Sequence, residues 1–359
     1  MRIGIYTQQL YNNYGGILQN YALQQVLKNL GHNPKTIDFR PRNSIFIYSI
    51  SQCITLLYFF IPGKKRNFRK FKKKEKRNKH LTLFIKNHIN TTHRIQKIFP
   101  FIVSIYKFNA IVVGSDQVWR PRYNTLKNSF LSFVKSEKVI KVAYAASFGV
   151  ENWEYTDNET KLCSSLVKKF KAVSVRESSG IFLCEKYFNI KAVETLDPTL
   201  LLDKVHYLRL CANVHHDSNN FLAAYILDMT DEKKQFIEAF SKKKNLEPFF
   251  FSAESNVSLS IQEWLSMYRD ARYIITDSFH GTVFSIINEK PFITFINSKR
   301  GADRFVSLLS KFGLENRIIC EKEIMNFEET PIDWKLISSI LDEKKQDSIN
   351  FLQNSLRNF

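Results

Sequence analysis

Short apolar runs that stop abruptly at polar residues, each followed by a segment of helical period, recur along most of this chain. That alternation constrains the fold more than any other feature. Strand, helix and strand in succession make a parallel pair joined by a crossover, and a series of such units makes an open sheet covered by helices. The first unit is the clearest. Arg2 to Thr7 is an apolar strand, and a polar loop then ends in Tyr14-Gly15-Gly16. Ile17 to Leu30 reads as an amphipathic helix, with Leu18, Ala22, Val26 and Leu23, Leu27, Leu30 at spacings of three and four. Gly31 stops it, and Thr36 to Phe39 is the next strand.

After an irregular insertion at 41–80 the alternation resumes. Apolar strands end in Gly114-Ser115-Asp116, Ser147-Phe148-Gly149, Arg176-Glu177 and Asp197-Pro198. The polar stretch from Asp203 to Asn220 breaks the pattern, which then restarts at Phe221. A length of 359 residues suits two domains. The expected division is 1–203 and 204–359, the second ending in a helical tail from Trp334 that has apolar positions to pack on either domain. In open parallel sheets ligands bind beyond the carboxyl ends of the strands. The polar strand ends are therefore the candidate site.

Charge narrows the ligand. Lys and Arg number 53 against 34 Asp and Glu, a formal net charge of +19 that favours anionic partners. Much of the excess lies in one run, Lys64 to Lys79, where eleven basic residues face only Glu75. The whole surface therefore need not be a nucleic-acid face. Beside that run, Ile45 to Ile61 is apolar but interrupted by Ser49, Ser51, Gln52 and Thr55. A buried helix fits it best, with a helix lying on an acidic membrane as the alternative and a true span, at the short limit of length, as the third. The five cysteines are scattered without a C-x-x-C pair, which argues against a disulfide framework or a zinc site and fits a reducing cytosol. The amino terminus reads as a strand and not as a signal peptide.

Five places carry candidate chemistry. Thr276-Asp277-Ser278-Phe279-His280-Gly281 joins an apolar strand to a helix, and backbone N–H groups at a helix start favour an anion. His280 there can donate a proton or hold a phosphate oxygen, oriented by Asp277; a helix cap with a surface histidine fits the same spacing. Lys299, Arg300 and Arg304 lie in a turn suited to gripping carboxylate and phosphate, or simply in a solvated one. Arg176 ends a strand and points to the crevice, or pairs with Glu177 or Asp197. Asp116, Gln117 and Trp119 combine a carboxylate, an amide and an indole, a set suited to a sugar; a capped turn with a core tryptophan is the plain alternative. The Tyr14-Gly15-Gly16 turn resembles a phosphate cradle but lacks G-x-G-x-x-G and a P-loop lysine.

Together these segments resemble the polysaccharide pyruvyl transferase family. NNYGGILQNYALQQVLKNLG, VVGSDQVW, AYAASFG, VSVRESSG, TLDPTLLL, ITDSFHGTVFSIINEKPFI and KRGADRFVSLLSKFGL follow one another in family order. The resemblance implies an α/β fold of two Rossmann-like domains facing a cleft, like the GT-B glycosyltransferases, with a C-terminal helix. It implies phosphoenolpyruvate as donor and a saccharide acceptor, often lipid-linked; no cofactor is expected beyond the donor, and no metal constellation is visible in the sequence. The product is a pyruvate ketal across two hydroxyls.

The family's donor-binding arginine falls on Arg176 and its histidine on His280. Many members have an arginine where this chain has Ser278, so Arg304, or Lys299 and Arg300, would supply that contact. Donor binding is expected from Arg176, Ser278, His280, Lys299, Arg300 and Arg304, and acceptor binding from Tyr14, Gly15, Asp116, Gln117 and Trp119. His280 and Asp116 are the candidate catalysts. The enzyme would be cytoplasmic, approaching an acidic membrane through Lys64 to Lys79, with no specific nucleic-acid partner. A nucleotide-sugar glycosyltransferase is the alternative on the same fold, and a basic nucleic-acid or membrane-surface binding protein the alternative of another class.

Overall fold

The computed structural model describes every residue except 12, 41–78, 217, 253–258, 297–300, 321–326, 328 and 358–359. The apolar insertion from Ile45 and nearly all of the basic run, together with Lys299 and Arg300, fall outside the described residues. Two parallel sheets form the frame. The first holds β1 (Arg2–Tyr6), β2 (Asn33–Thr36), β3 (Ala110–Val113), β4 (Ile140–Ala146), β5 (Ala172–Val175) and β6 (Val193–Glu194), in the order β2-β1-β3-β4-β5-β6. The second holds β7 (Phe221–Tyr225), β8 (Glu247–Phe251), β9 (Tyr273–Thr276), β10 (Phe292–Ile296) and β11 (Ile318–Cys320), in the order β11-β10-β9-β7-β8. Every pairing between these strands is parallel. Strands covered on both faces need continuous apolar runs, and β3 (AIVV) and β9 (YIIT) are buried at every position.

Nine helices enter the argument. They are α1 (Tyr14–Asn29), α2 (Asp157–Val167), α3 (Ser178–Leu183), α4 (Lys204–Leu210), α5 (Asp231–Lys244), α6 (Ile261–Asp270), α7 (Phe279–Ile287), α8 (Asp303–Ser310) and α9 (Trp334–Leu356). Helix α1 begins three residues earlier than the apolar period alone suggests. Asn13 caps it by accepting from the Gly16 N–H at 3.2 Å, so both glycines belong to its first turn. It is also buried almost all round, unlike an amphipathic surface helix, because other elements cover its polar side as well as its apolar one. Two of its glutamines donate to threonines of the first half. Gln19 donates to Thr7 Oγ1 at 2.8 Å, and Gln24 donates to Thr36 Oγ1 at 2.7 Å.

The sheet boundary falls between β6 and β7, but the tail does not stay with the second half. Helix α9 crosses back to the first sheet, where Ser348 Oγ accepts from the Leu196 N–H at 3.0 Å and Phe351 lies 6.2 Å from Tyr144, ring to ring. Its apolar stripe, Ile337, Leu352 and Leu356, covers part of a core that runs unbroken from Val142 and Tyr144 to Ile274 and Phe292. Of the two domains the sequence left open to the tail, it packs on the first sheet.

Each sheet has one place where the chain reverses its direction of growth. In the first it lies between β1 and β3, and in the second between β7 and β9. Crevices open at such points beyond the carboxyl ends of the strands. Helix α1 starts at one and α7 at the other, and they meet. A Cβ added to Gly15 would overlap the His280 ring.

Candidate active site

The centre of the site is Asp197, which follows β6 and is 2% exposed. One carboxylate oxygen, Oδ2, accepts from Arg176 Nη1 at 2.9 Å and from Ser115 Oγ at 2.9 Å, and faces His280 Nε2 at 3.7 Å. The other, Oδ1, accepts from the Thr199 N–H at 3.1 Å and from Thr199 Oγ1 at 2.7 Å. Burial alone would raise this carboxyl. The facing His280, Arg176 and the Thr199 hydrogen bond outweigh it and hold Asp197 well below the usual carboxylate range.

Arg176 is placed by the end of β5, as the sequence suggests. Both of its readings are realised together: it pairs with Asp197 and lines the junction of the two halves. Its Nη2 is 3.9 Å from Asp116 Oδ1 and its Nε 3.8 Å from Glu177 Oε2, beyond hydrogen-bond length. Those two nitrogens are buried without a hydrogen bond among the described residues. Burial opposes its charge, but Asp197, Asp116 and Glu177 win and raise its pKa. Glu177, wholly buried, is pushed up by burial, against the pull of Arg176 and a hydrogen bond from the Gly149 N–H.

The Phe279 ring joins the two halves of the site. The Arg176 guanidinium carbon lies 4.2 Å from the ring centroid and that of Arg304, from α8, 5.8 Å. Arg304 is 7% exposed. Burial and the like charge of Arg176 push its pKa down to about 10, with Asp116 and Glu177 opposing. Helix α8 belongs to the second half yet docks on the first. Ser307 Oγ accepts from the Ser178 N–H at 3.1 Å, and Lys311 pairs with Glu194.

The turn from Thr276 to Gly281 is a helix start with a buried histidine, not a surface one. Ser278 caps α7, its Oγ accepting from the Gly281 N–H at 3.4 Å, and His280 is 7% exposed. Asp277 does not orient His280. It accepts from the Leu227 and Asp228 N–H groups at 2.6 and 3.0 Å and pairs with Lys233 at 3.2 Å, fixing the loop after β7. Asp197 takes the place beside His280.

The remaining expected residues divide. Asp116 lies in the cluster, with φ +72, in the left-handed region, and its Oδ2 is buried without a hydrogen bond among the described residues. Gln117 is half-buried beside Gly149, its Oε1 accepting from Arg120 Nη1 at 3.1 Å. Gly15 touches His280. Trp119 is fully buried and stacks on Phe130 at 4.9 Å, inside the first core and not along the cleft. Tyr14 is 1% exposed, stacks on Trp264 at 5.7 Å and donates to the Leu259 carbonyl at 2.6 Å, so it joins the two halves. The sequence reading had not assigned site roles to Asp197, Glu177 or Phe279. The first two stand at strand ends, a signal that could have found them. Among the described residues no group of three or more His, Cys, Asp or Glu stands together to hold a metal ion.

The site therefore assembles two arginines, a histidine and carboxylates where two helices start. The polysaccharide pyruvyl transferase family model matches residues 13–299. The chain belongs to that family. No curated protein sequence matches it. Among solved structures it resembles the S. aureus MnaA–UDP co-structure at 8% identity, covering 99% of this chain and 90% of that one with a TM-score of 0.50. It also resembles UDP-GlcNAc 2-epimerase from Neisseria meningitidis bound to UDP-GlcNAc, at 10% identity, 100% and 95% coverage and TM-score 0.48. A third is an S. aureus TarM variant in complex with fondaparinux, alpha-GlcNAc-glycerol and UDP, at 9% identity, 99% and 100% coverage and TM-score 0.49. Two parallel sheets with facing switch points and a returning C-terminal helix make this pyruvyl transferase relative a GT-B-type α/β protein.

Proposed function

We propose that this protein transfers the pyruvyl group of phosphoenolpyruvate to two hydroxyls of a saccharide, forming a cyclic ketal. The observation that carries the reading is the meeting of Arg176 and Arg304, one from each half, against the Phe279 ring beside His280. Phosphoenolpyruvate concentrates its charge on a phosphate and a carboxylate, and two separated guanidinium forks suit two such groups. Arg176 Nε and Nη2, which make no hydrogen bond among the described residues, are donors a ligand can use. Arg304 takes the part of the family arginine that Ser278 does not supply, helped by Lys299 and Arg300 and by the start of α7. A bound anion also relieves the burial and like-charge cost that lowers Arg304.

The reaction needs a proton on the methylene carbon, loss of phosphate, and attack by two hydroxyls. His280 supplies the proton or holds the departing phosphate, with Asp197 fixing its orientation. Asp116 Oδ2 accepts a hydroxyl proton as the oxygen attacks the substituted carbon. One hydroxyl proton balances the new methyl group, and the other leaves with phosphate. A closed cleft keeps water from capturing the cationic intermediate. No cofactor is needed. Lipid-linked repeat units of a surface polysaccharide are the acceptor that fits a basic, membrane-facing enzyme of the cytoplasmic side. No helix among the described residues is long and apolar enough to cross a membrane.

Purified protein incubated with phosphoenolpyruvate and candidate glycans should release phosphate and yield a pyruvyl ketal detectable by mass spectrometry. His280→Ala and Arg176→Ala should each reduce turnover by about a hundredfold or more. Full turnover in both variants would remove these residues from the mechanism. Tight binding of UDP without phosphate release from phosphoenolpyruvate would mark a nucleotide-sugar enzyme instead.

A further inference from the structure

A second basic site lies at the opposite end of the first sheet. A cavity of about 310 Å³ is lined by Ser132, Val134, Lys135, Glu137, Val139, Lys141, Leu166 and Lys169. Lys141 is the second residue of β4, and the candidate active site lies past that strand's other end. At about 3.3 Å per residue, the length of β4 keeps the two roughly 17 Å apart. An anion here takes no part in the chemistry at His280.

Lys141 is the unusual residue. It shares a face of β4 with Ala143, within the first-domain core, and is 8% exposed. Its stem is covered by the core, while its ammonium opens into the cavity. Among the described residues its ammonium makes no hydrogen bond or ion pair, although Glu137 lines the same cavity. Burial, the neighbouring charge of Lys169 and that of Lys135 all lower its pKa, and Glu137 alone raises it. Three ammonium groups against one carboxylate leave the cavity short of negative charge. Two of them stand on exposed residues, the third is the end of the covered Lys141 stem, and Ser132 lines the same cavity.

We propose that this cavity binds a phosphate group carried by a small molecule or a lipid head, held by Lys135, Lys141 and Lys169. A dianion supplies the missing charge, and three rotatable ammonium groups suit a phosphate as point charges. The volume admits a phosphate with one attached sugar or glycerol unit, well below a nucleotide sugar.

The test reads Lys141 directly, because the cleft also binds phosphates and would confuse a bulk titration. The intact protein is reductively methylated, and each lysine's rate is followed by peptide mass spectrometry. The probes are inorganic phosphate, glucose 1-phosphate, and phosphatidylglycerol vesicles set against pure phosphatidylcholine vesicles. A saturating probe should slow methylation of Lys141 by about tenfold and leave exposed Lys28 unchanged. Lys135→Ala and Lys169→Ala change exposed residues, so they preserve the fold. Each should raise the half-protecting concentration by about tenfold. Protection by glucose 1-phosphate assigns a free metabolite, and protection by phosphatidylglycerol alone assigns a lipid head. Equal methylation of Lys141 with every probe, or protection untouched by both variants, overturns the site.

Discussion

Asp197 keeps opposite charges together at the junction of the two halves. Its carboxylate lies between Arg176 and His280 and takes three further hydrogen bonds from Ser115 and Thr199. Replacing it by Asn preserves shape but leaves Arg176 buried beside an uncharged amide, which costs about 3 kcal/mol. The pH dependence follows from its direction of shift. A carboxyl held lower in the folded chain than in the unfolded one stabilises fully above about pH 5, and the gain is lost progressively as pH falls below that. Denaturant unfolding of the native protein between pH 7 and 3 should therefore show a steep loss of stability. Asp197→Asn should be weaker at pH 7 and flatter towards acid. Parallel curves for the two proteins would mean that Asp197 carries no such charge coupling. At this scale the sequence was informative about residues at strand ends, because a parallel sheet presents all of them to one crevice. Arg176, Asp116 and His280 were found that way. Asp197 stood at a strand end too, but its partner His280 lies 83 positions on, and nothing local announces that contact. Trp119 shows the opposite limit. Its neighbours Gln117 and Asp116 suggested a sugar platform, while its burial is decided by Phe130, Tyr155 and the rest of the first core.

Helix starts do more here than bind charge; two of them fit against each other. The first turn of α1 carries Gly15-Gly16, and Gly15 lies under the His280 ring at the first turn of α7. No side chain fits between. Gly15 is an ordinary helical position, so alanine there strains no backbone and by propensity adds about 0.5–1 kcal/mol to the helix. The harm expected is the clash with the imidazole. Gly15→Ala should therefore keep its circular dichroism and melting temperature within a few degrees, yet lose about a hundredfold in turnover as His280 is displaced. Turnover equal to the native protein would mean that the histidine position is not held from α1. Element positions themselves were largely legible, since apolar runs and helical periods are local. The start of α1 was not, because glycines read as a loop until Asn13 is seen to cap them. The path of α9 was not either, because its apolar stripe suits several surfaces and only the residues it covers, Tyr144 and the Leu196 backbone among them, select one.

The whole molecule is closed over its candidate site. Asp116, Arg176, Asp197, His280 and Arg304 are each under 9% exposed. A donor enters a cluster so covered only if the two halves part and close again. One contact sets how far they close. Gly301 has φ +92, which disfavours any side chain, and a Cβ there would run into the Gly149 carbonyl of the first half. Three residues later Arg304 reaches Phe279, so the approach of Gly301 to Gly149 also sets the reach of that arginine. Gly301→Ala would hold the loop away and draw Arg304 back from Arg176. Chemistry at His280 is built from other elements and is disturbed less. The expected signature is a rise of about tenfold in KM for phosphoenolpyruvate with a smaller change in kcat. Small-angle scattering should show that the donor no longer contracts the variant as it does the native protein. A KM equal to the native value would place closure elsewhere, and a loss confined to kcat would mean that the Gly149 contact serves the reacting groups and not the grip on the donor.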